Sequence, residues 1–202
     1  MIVIIDFGMG NIHSVFTQFK KINNDIIVSS SADEIKNAKK IILPGVGYFS
    51  KAMEKLNELN LIKILNEKVL IQKIPILGIC LGMQLLGKRS EEGHTNGFGW
   101  VDAETVRFKS NNSQTKIPHM GWNNLISFNS ESIFKGVSEK DEFYFVHSYY
   151  MKTTSNDIIL AKTDYGHVFV SAIQKDNIYG TQFHPEKSHH SGRLVLKNFL
   201  EI

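Results

Sequence analysis

The sequence predicts an α/β fold with a mostly parallel central sheet, helices on both of its faces, and a β-rich antiparallel or mixed extension in the C-terminal half. Two observations carry this expectation. Up to Leu86, short β-branched apolar runs alternate four times with segments of helical period, the pattern of strand–helix units wound onto one parallel sheet. Beyond Gly93 the chain changes to short β-rich stretches separated by turn-forming polar clusters, which suits antiparallel pairing.

Ile2-Val3-Ile4-Ile5 is apolar on both faces, as a covered parallel strand requires. After the Gly8-Met9-Gly10 loop, Ile12, Val15, Phe16, Phe19 and Ile22 recur at three- and four-residue spacing, an amphipathic helix with Asn11 as N-cap. Residues 26–28 form a second strand, and Ser31 with Glu34 fits a capping box that starts a short helix. The third strand, 41–43, ends in Pro44-Gly45-Val46-Gly47, and 52–69 reads as one or two helices. The fourth, 76–79, runs into Cys80 and a helix to about Leu86. In the second half, strands are expected over 101–108, 143–150, 158–162, 167–173 and 178–183. Turns fall at Ser110-Asn111-Asn112-Ser113 and Lys175-Asp176-Asn177, and a final helix covers 191–200. With no repeat and no linker, residues 1–202 read as a single domain.

Hydrophobic residues at 42% and charged residues at 21% suit a globular protein with one sizeable core. The net charge of +3 is scattered, marking neither a nucleic-acid surface nor a membrane-binding one. One cysteine cannot form an internal disulfide, and the N-terminus lacks a signal-peptide pattern. The longest apolar region, 61–79, is broken by Lys63, Glu67, Lys68 and Lys73, short of the roughly 20 apolar residues of a membrane span. A cytoplasmic protein without nucleic-acid or membrane partners is expected.

Cys80 stands between Gly78 and Gly82 where an apolar strand gives way to a helix, which is the pattern of a nucleophile elbow. Glycines permit a tight turn, and a sulfur at a helix start meets backbone N–H groups that favour the nucleophilic thiolate. A base is then needed, and among 8 histidines His184 ends a predicted strand and precedes Pro185, which biases it to extended geometry. Residues two apart in an extended segment project to the same side, so Glu186 is placed to orient the imidazole. Cys80, His184 and Glu186 thus form a candidate catalytic triad. The Gly45-Val46-Gly47 turn and the Leu81 N–H are candidate oxyanion donors, since ligands bind at the carboxyl edge of open α/β sheets. Gly8-Met9-Gly10 lacks the third glycine of a dinucleotide loop, because His13 stands there, and no second thiolate or HxxxH pattern supports a metal site. Neither metal nor cofactor is expected.

The stretches LPGVG (43–47), GICLGMQLL (78–86), PHMGWN (118–123), FVHSYY (145–150) and QFHPEKS (182–188) together resemble class I glutamine amidotransferases. More narrowly, they resemble the glutaminase subunits of imidazole glycerol phosphate synthase, and the resemblance runs over nearly the whole chain. It implies that Cys80 attacks the side-chain amide of glutamine, that His184 moves the proton and that Glu186 orients it. Gly47, Gln84, Glu92, His147 and Ser148 are implied to hold the glutamine. The implied partner is a (β/α)8-barrel cyclase or synthase subunit, in a heterodimer, that receives the ammonia. Phe7, Asn11, His119, Met120, Trp122, Asn123, Tyr144 and Lys187 are implied at or near that interface. Residues 97–108 and the His189-His190 pair look more like paralogues that supply ammonia for amidino groups on surface-glycan sugars. Two other readings remain beside these: a free-standing γ-glutamyl cysteine hydrolase, and a non-catalytic binding subunit with a merely buried Cys80.

Overall fold

The computed structural model describes residues 1–109 and 116–202, so the expected turn at Ser110-Asn111-Asn112-Ser113 lies outside the described residues. The first part of the chain supplies β1 (Ile2–Ile5), β2 (Ile26–Ser29), β3 (Lys40–Gly45) and β4 (Ile76–Cys80). Between and after them run α1 (Ile12–Lys20), α2 (Ala32–Lys36), α3 (Phe49–Glu58), α4 (Leu61–Asn66) and α5 (Leu81–Leu85). The remainder supplies β5 (Arg89–Ser90), β6 (Thr95–Asn96), β7 (Glu104–Arg107), β8 (His119–Asn124) and β9 (Ser127–Phe128). It continues with β10 (Glu142–His147), β11 (Tyr149–Lys152), β12 (Ile159–Asp164), β13 (Val168–Lys175), β14 (Ile178–Thr181) and the last helix, α6 (His189–Glu201).

One sheet runs through the molecule in the order β2-β1-β3-β4-β14-β13-β11-β7-β5-β6, with β12 and β9 attached beside β13. Its first five strands pair in parallel; β13 and β11 continue it antiparallel. Alternate side chains of the parallel strands leave on opposite faces. Val3, Ile5, Ile41 and Leu43 therefore pack with Ala52, Leu56, Leu61 and Leu65 of α3 and α4. Ile2, Ile4 and Ile42 pack with Val15 and Phe19 of α1 and Val195, Leu196 and Phe199 of α6. The β-branched runs of the sequence are apolar throughout because both faces are covered.

Local expectations meet the structure unevenly. Asn11 caps α1, its side chain accepting from the Ser14 N–H at 3.3 Å. Ser31 makes no side-chain cap; Ser29 Oγ accepts the Ser31 N–H at 2.8 Å and bonds the Glu34 carboxylate, so the capping box is replaced by a bridge from the end of β2. Residues 52–69 divide at Asn60, whose φ of 55° breaks the helix, and a π-helical turn follows at Glu67–Ile71. The strand expected over 143–150 is two strands: β10 pairs with β8 in a separate two-stranded sheet, whereas β11 joins the main one. No helix among the described residues is long and apolar enough to cross a membrane.

Candidate active site

Parallel register assembles the site. Gly45 on β3 pairs with Cys80 on β4, and Thr181 on β14 pairs with Ile79, so three neighbouring strand ends present the 44–47 turn, the cysteine and residues 182–186 together. This is the carboxyl edge, where open α/β sheets hold ligands. Cys80 takes φ 55° and ψ −109°, far from the regions open to L-residues. Such strain costs on the order of 1–3 kcal/mol and persists only where the surroundings impose it. The imposition is visible: a Cβ on Gly82 would lie 1.8 Å from the Leu43 carbonyl oxygen, and one on Gly78 would lie 2.7 Å from that of Gly82. Only glycine fits either side of the cysteine.

His184 leaves β14 in extended conformation, and its Nδ1 lies 2.8 Å from Glu186 Oε1. A carboxylate accepts, so Nδ1 carries the hydrogen and Nε2 is left as the reactive nitrogen. The two side chains are 2% and 1% exposed. Neither His184 Nε2 nor Glu186 Oε2 has a hydrogen-bond partner among the described residues. Burial by itself lowers the His184 pKa, but the negative charge of the Cys80 sulfur and of Glu186 outweighs it and holds the imidazole well above its usual range. The structure thus places His184 and Glu186 in one hydrogen-bonded pair close enough to Cys80 for the sulfur to act on the imidazole, and Gln182 Nε2 donates to Cys80 Sγ at 3.7 Å, a contact the sequence did not foresee.

A cavity of about 320 Å³ opens on Cys80 and is walled by Val46, Gly47, Leu81, Gln84, Glu92, Pro118 and residues 146–149. Expected oxyanion donors Val46, Gly47 and Leu81 and the expected glutamine-binding residues therefore line one cavity, with Gly45 the ladder partner of Cys80. Glu92 Oε2 accepts the Phe49 N–H at 2.7 Å at the start of α3. Burial raises the Glu92 pKa, and the Phe49 N–H opposes the rise. Gly47 has φ 111°, and a Cβ there would meet Met9 Cε at 2.9 Å, so the Gly8-Met9-Gly10 loop packs against the turn.

His147 lines the cavity as part of a hydrogen-bonded chain. Its Nδ1 lies 2.8 Å from the Tyr149 carbonyl, which only accepts, so Nε2 is bare and takes the hydrogen of His119 Nδ1 at 3.1 Å. His119 Nε2 in turn accepts from Asn123 Nδ2 at 3.4 Å. Burial pushes His147 down to about 3 and His119 down to about 4, so both are neutral.

Of the residues expected at a docking face, Met120 and Trp122 are 61% and 43% exposed. Trp122 pairs with Tyr144 across the small sheet and stacks on His189 at 4.8 Å, while Lys187 Nζ lies 5.4 Å from the Tyr144 ring. Asn11 is half-buried as the α1 cap, and Asn123 is half-buried and tied to the Asp164 carbonyl at 2.8 Å. Phe7 and His119, expected at or near the same face, are 1% and 2% exposed, so neither side chain reaches the surface. Phe7 belongs to the core, and His119 is held between the rings of Phe145 and Tyr165. Gln182 was not foreseen, although it stands two residues before His184 in an extended segment, the same spacing that marks Glu186.

A cavity at the carboxyl edge of a parallel sheet, opening on a strained cysteine, places this chain among α/β proteins built to bind a small ligand there. The chain belongs to the glutamine amidotransferase class-I family, whose model matches residues 3–202. It is 46% identical over 202 residues to "Imidazole glycerol phosphate synthase subunit HisH 2" of Pseudomonas aeruginosa, covering 100% of both chains. It is 49% identical to the protein of the same name from Methanococcus maripaludis, covering 100% of this chain and 99% of that one. A crystal structure of a glutamine amidotransferase superposes with a TM-score of 0.77 at 16% identity, covering 98% of this chain and 97% of that one, a likeness of fold.

Proposed function

We propose that this chain is the glutaminase subunit of a heterodimeric imidazole glycerol phosphate synthase. It hydrolyses glutamine and passes the ammonia to a (β/α)8-barrel partner in histidine biosynthesis. The observation that carries the reading is the buried His184–Glu186 pair beside a thiol that opens onto an amino-acid-sized cavity; the names of full-length relatives support the acceptor. Residues 1–202 act as a single amidotransferase domain, supported by a sheet that continues from one half into the other. A lone cysteine that must remain a free thiol fits the cytoplasm.

In the reaction, Cys80 Sγ attacks the side-chain amide carbon of glutamine. Backbone N–H groups of Leu81 and of the 45–47 turn meet the charge on the amide oxygen. The C–N bond breaks as the His184 imidazolium gives its proton to the leaving nitrogen, releasing ammonia and a γ-glutamyl thioester. Water then attacks the thioester, yielding a proton to His184 Nε2, and the thiolate is restored as glutamate departs. Glu92 and Gln84 receive the α-ammonium; Gly47 and the backbone at His147 and Ser148 complete the pocket. Asn11, Met120, Trp122, Asn123, Tyr144 and Lys187 meet the barrel.

Glutamate release by the chain paired with its barrel partner tests this reading: Cys80→Ala abolishes it, and turnover near wild type in that variant would dismiss the thioester. Residues 97–108 and the His189-His190 pair favour a second reading, a paralogue feeding amidino-sugar synthesis. Glutamine turnover by the pair without imidazole glycerol phosphate formation selects it.

A further inference from the structure

We infer that Gln182 is a fourth functional side chain, which holds the Cys80 sulfur in place and stabilises its negative charge through an N–H···S hydrogen bond. The inference rests on the glutaminase reading only for its consequence in turnover; the contact itself is geometric. Gln182 is 0% exposed, and its backbone N–H is fixed to the Ser171 carbonyl at 2.8 Å. Its side chain lies between two polar neighbours, with Nε2 at 3.7 Å from Cys80 Sγ and Oε1 at 3.0 Å from Gln84 Nε2.

An amide can be turned end for end, so its polarity needs an independent anchor. The Tyr149 carbonyl provides one, because it can only accept, and the Gln84 amide nitrogen lies 3.0 Å from it. With one Gln84 hydrogen on Tyr149, the second points at Gln182, which must answer with its oxygen. The nitrogen of Gln182 is thereby aimed at the sulfur. Each step has a single allowed sense, and the sequence of donors ends on the nucleophile.

Two consequences follow. A buried N–H directed at sulfur is best satisfied when the sulfur is an anion, the form that attacks carbon. Gln84, with both amide hydrogens committed, can offer a ligand in the cavity only its Oε1, an acceptor suited to an ammonium group. The residue that faces the amino-acid end of a substrate is therefore one hydrogen bond from the residue that holds the nucleophile.

The test is the pH profile of Cys80 alkylation by iodoacetamide, measured on the full chain and read by mass shift. Gln182→Glu replaces the donor by an acceptor and Gln182→Met removes it at similar volume. The alkylation midpoint should rise by a pH unit or more in the first and by less in the second, with alkylation at pH 7 about tenfold slower in Gln182→Glu. Gln84→Met, which frees the Gln182 amide to turn, should move the midpoint the same way. Profiles that superpose on wild type in folded Gln182→Glu and Gln182→Met overturn the inference. Should Gln182→Glu not fold, Gln182→Met and Gln84→Met decide by themselves. A shifted profile in a chain that releases no glutamate with its partner leaves Gln182 in this role and rejects the glutaminase reading; normal turnover with unshifted profiles does the reverse.

Discussion

Gly45 and Cys80 face each other across the parallel ladder of β3 and β4, and one step beyond them Gly82 lies so close under the Leu43 carbonyl that a β-carbon would come within 1.8 Å of its oxygen. The 44–47 turn and Cys80 are consequently held as one unit. Gly82→Ala forces the two strand ends apart, and a backbone clash has no flexible side chain to yield. The expected cost exceeds about 3 kcal/mol, a fall in melting temperature of at least roughly 6 °C for a domain of this size. Calorimetry checks it, and an unchanged melting temperature would show that the elbow is looser than its geometry.

Glu186→Gln keeps the size of the side chain and can turn an N–H toward His184 Nδ1. That stabilises the tautomer with hydrogen on Nε2, the wrong nitrogen for receiving a proton. Glutamine turnover in the paired enzyme should drop by about 10²- to 10⁴-fold with the fold intact by circular dichroism. A loss of less than tenfold would mean that the carboxylate does not set the tautomer.

The His119–His147 pair predicts acid lability. Both residues are buried and neutral, held down to about 4 and about 3, while in the unfolded chain histidine titrates near 6.5. Below that value the unfolded state takes up protons that the folded state refuses. Stability is therefore fully present above about pH 7 and is lost as pH falls from about 6.5 toward 4, by up to about 1.4 kcal/mol per pH unit for each histidine. Urea midpoints at pH 7.5 and 5 measure the loss. His119→Gln should flatten the slope by about half, and an equally steep slope would assign it to other groups.

Met120 is 61% exposed on the small sheet, so a charge there costs the free chain little. Met120→Asp should leave the melting temperature within about 1 °C while weakening association with the barrel partner at least tenfold, about 1.4 kcal/mol. Isothermal titration of the two subunits provides the comparison. Equal affinity for both forms would remove Met120 from the docking face.

Strands with period-free apolar runs, such as residues 2–5 and 76–80, were legible because a sheet covered on both faces demands them. The elbow was legible because glycine on both sides of a cysteine has few other uses. The small sheet was not: residues 119–124 carry histidine, glycine and asparagine, and their pairing with β10 depends on side-chain stacking that no local period records. The break at Ser148 was hidden for the same reason, since the residues on either side of His147-Ser148, 143–146 and 149–150, are all aromatic or β-branched while serving two sheets. His119 belongs with these cases, since nothing in its neighbours along the chain says that two rings from distant strands enclose it. Gln182 was hidden because its value lies in which end of its amide faces the sulfur, a property of the network rather than of the residue.

β14 is the last strand among the described residues, yet it occupies the centre of the sheet between β4 and β13. Cys80 and Gln182 touch across a separation of 102 residues. On the ribosome, the elbow is complete long before the residues that would arm it have been polymerised, and the slot beside β4 stays open until the final segment docks. A nascent or truncated chain therefore carries the thiol without its imidazole and exposes an unpaired central strand edge, a template for misassembly. Completion of the Cys80 surroundings and burial of that edge become a single event, so a chain in which Gln182 reaches Cys80 is also one whose central sheet has closed.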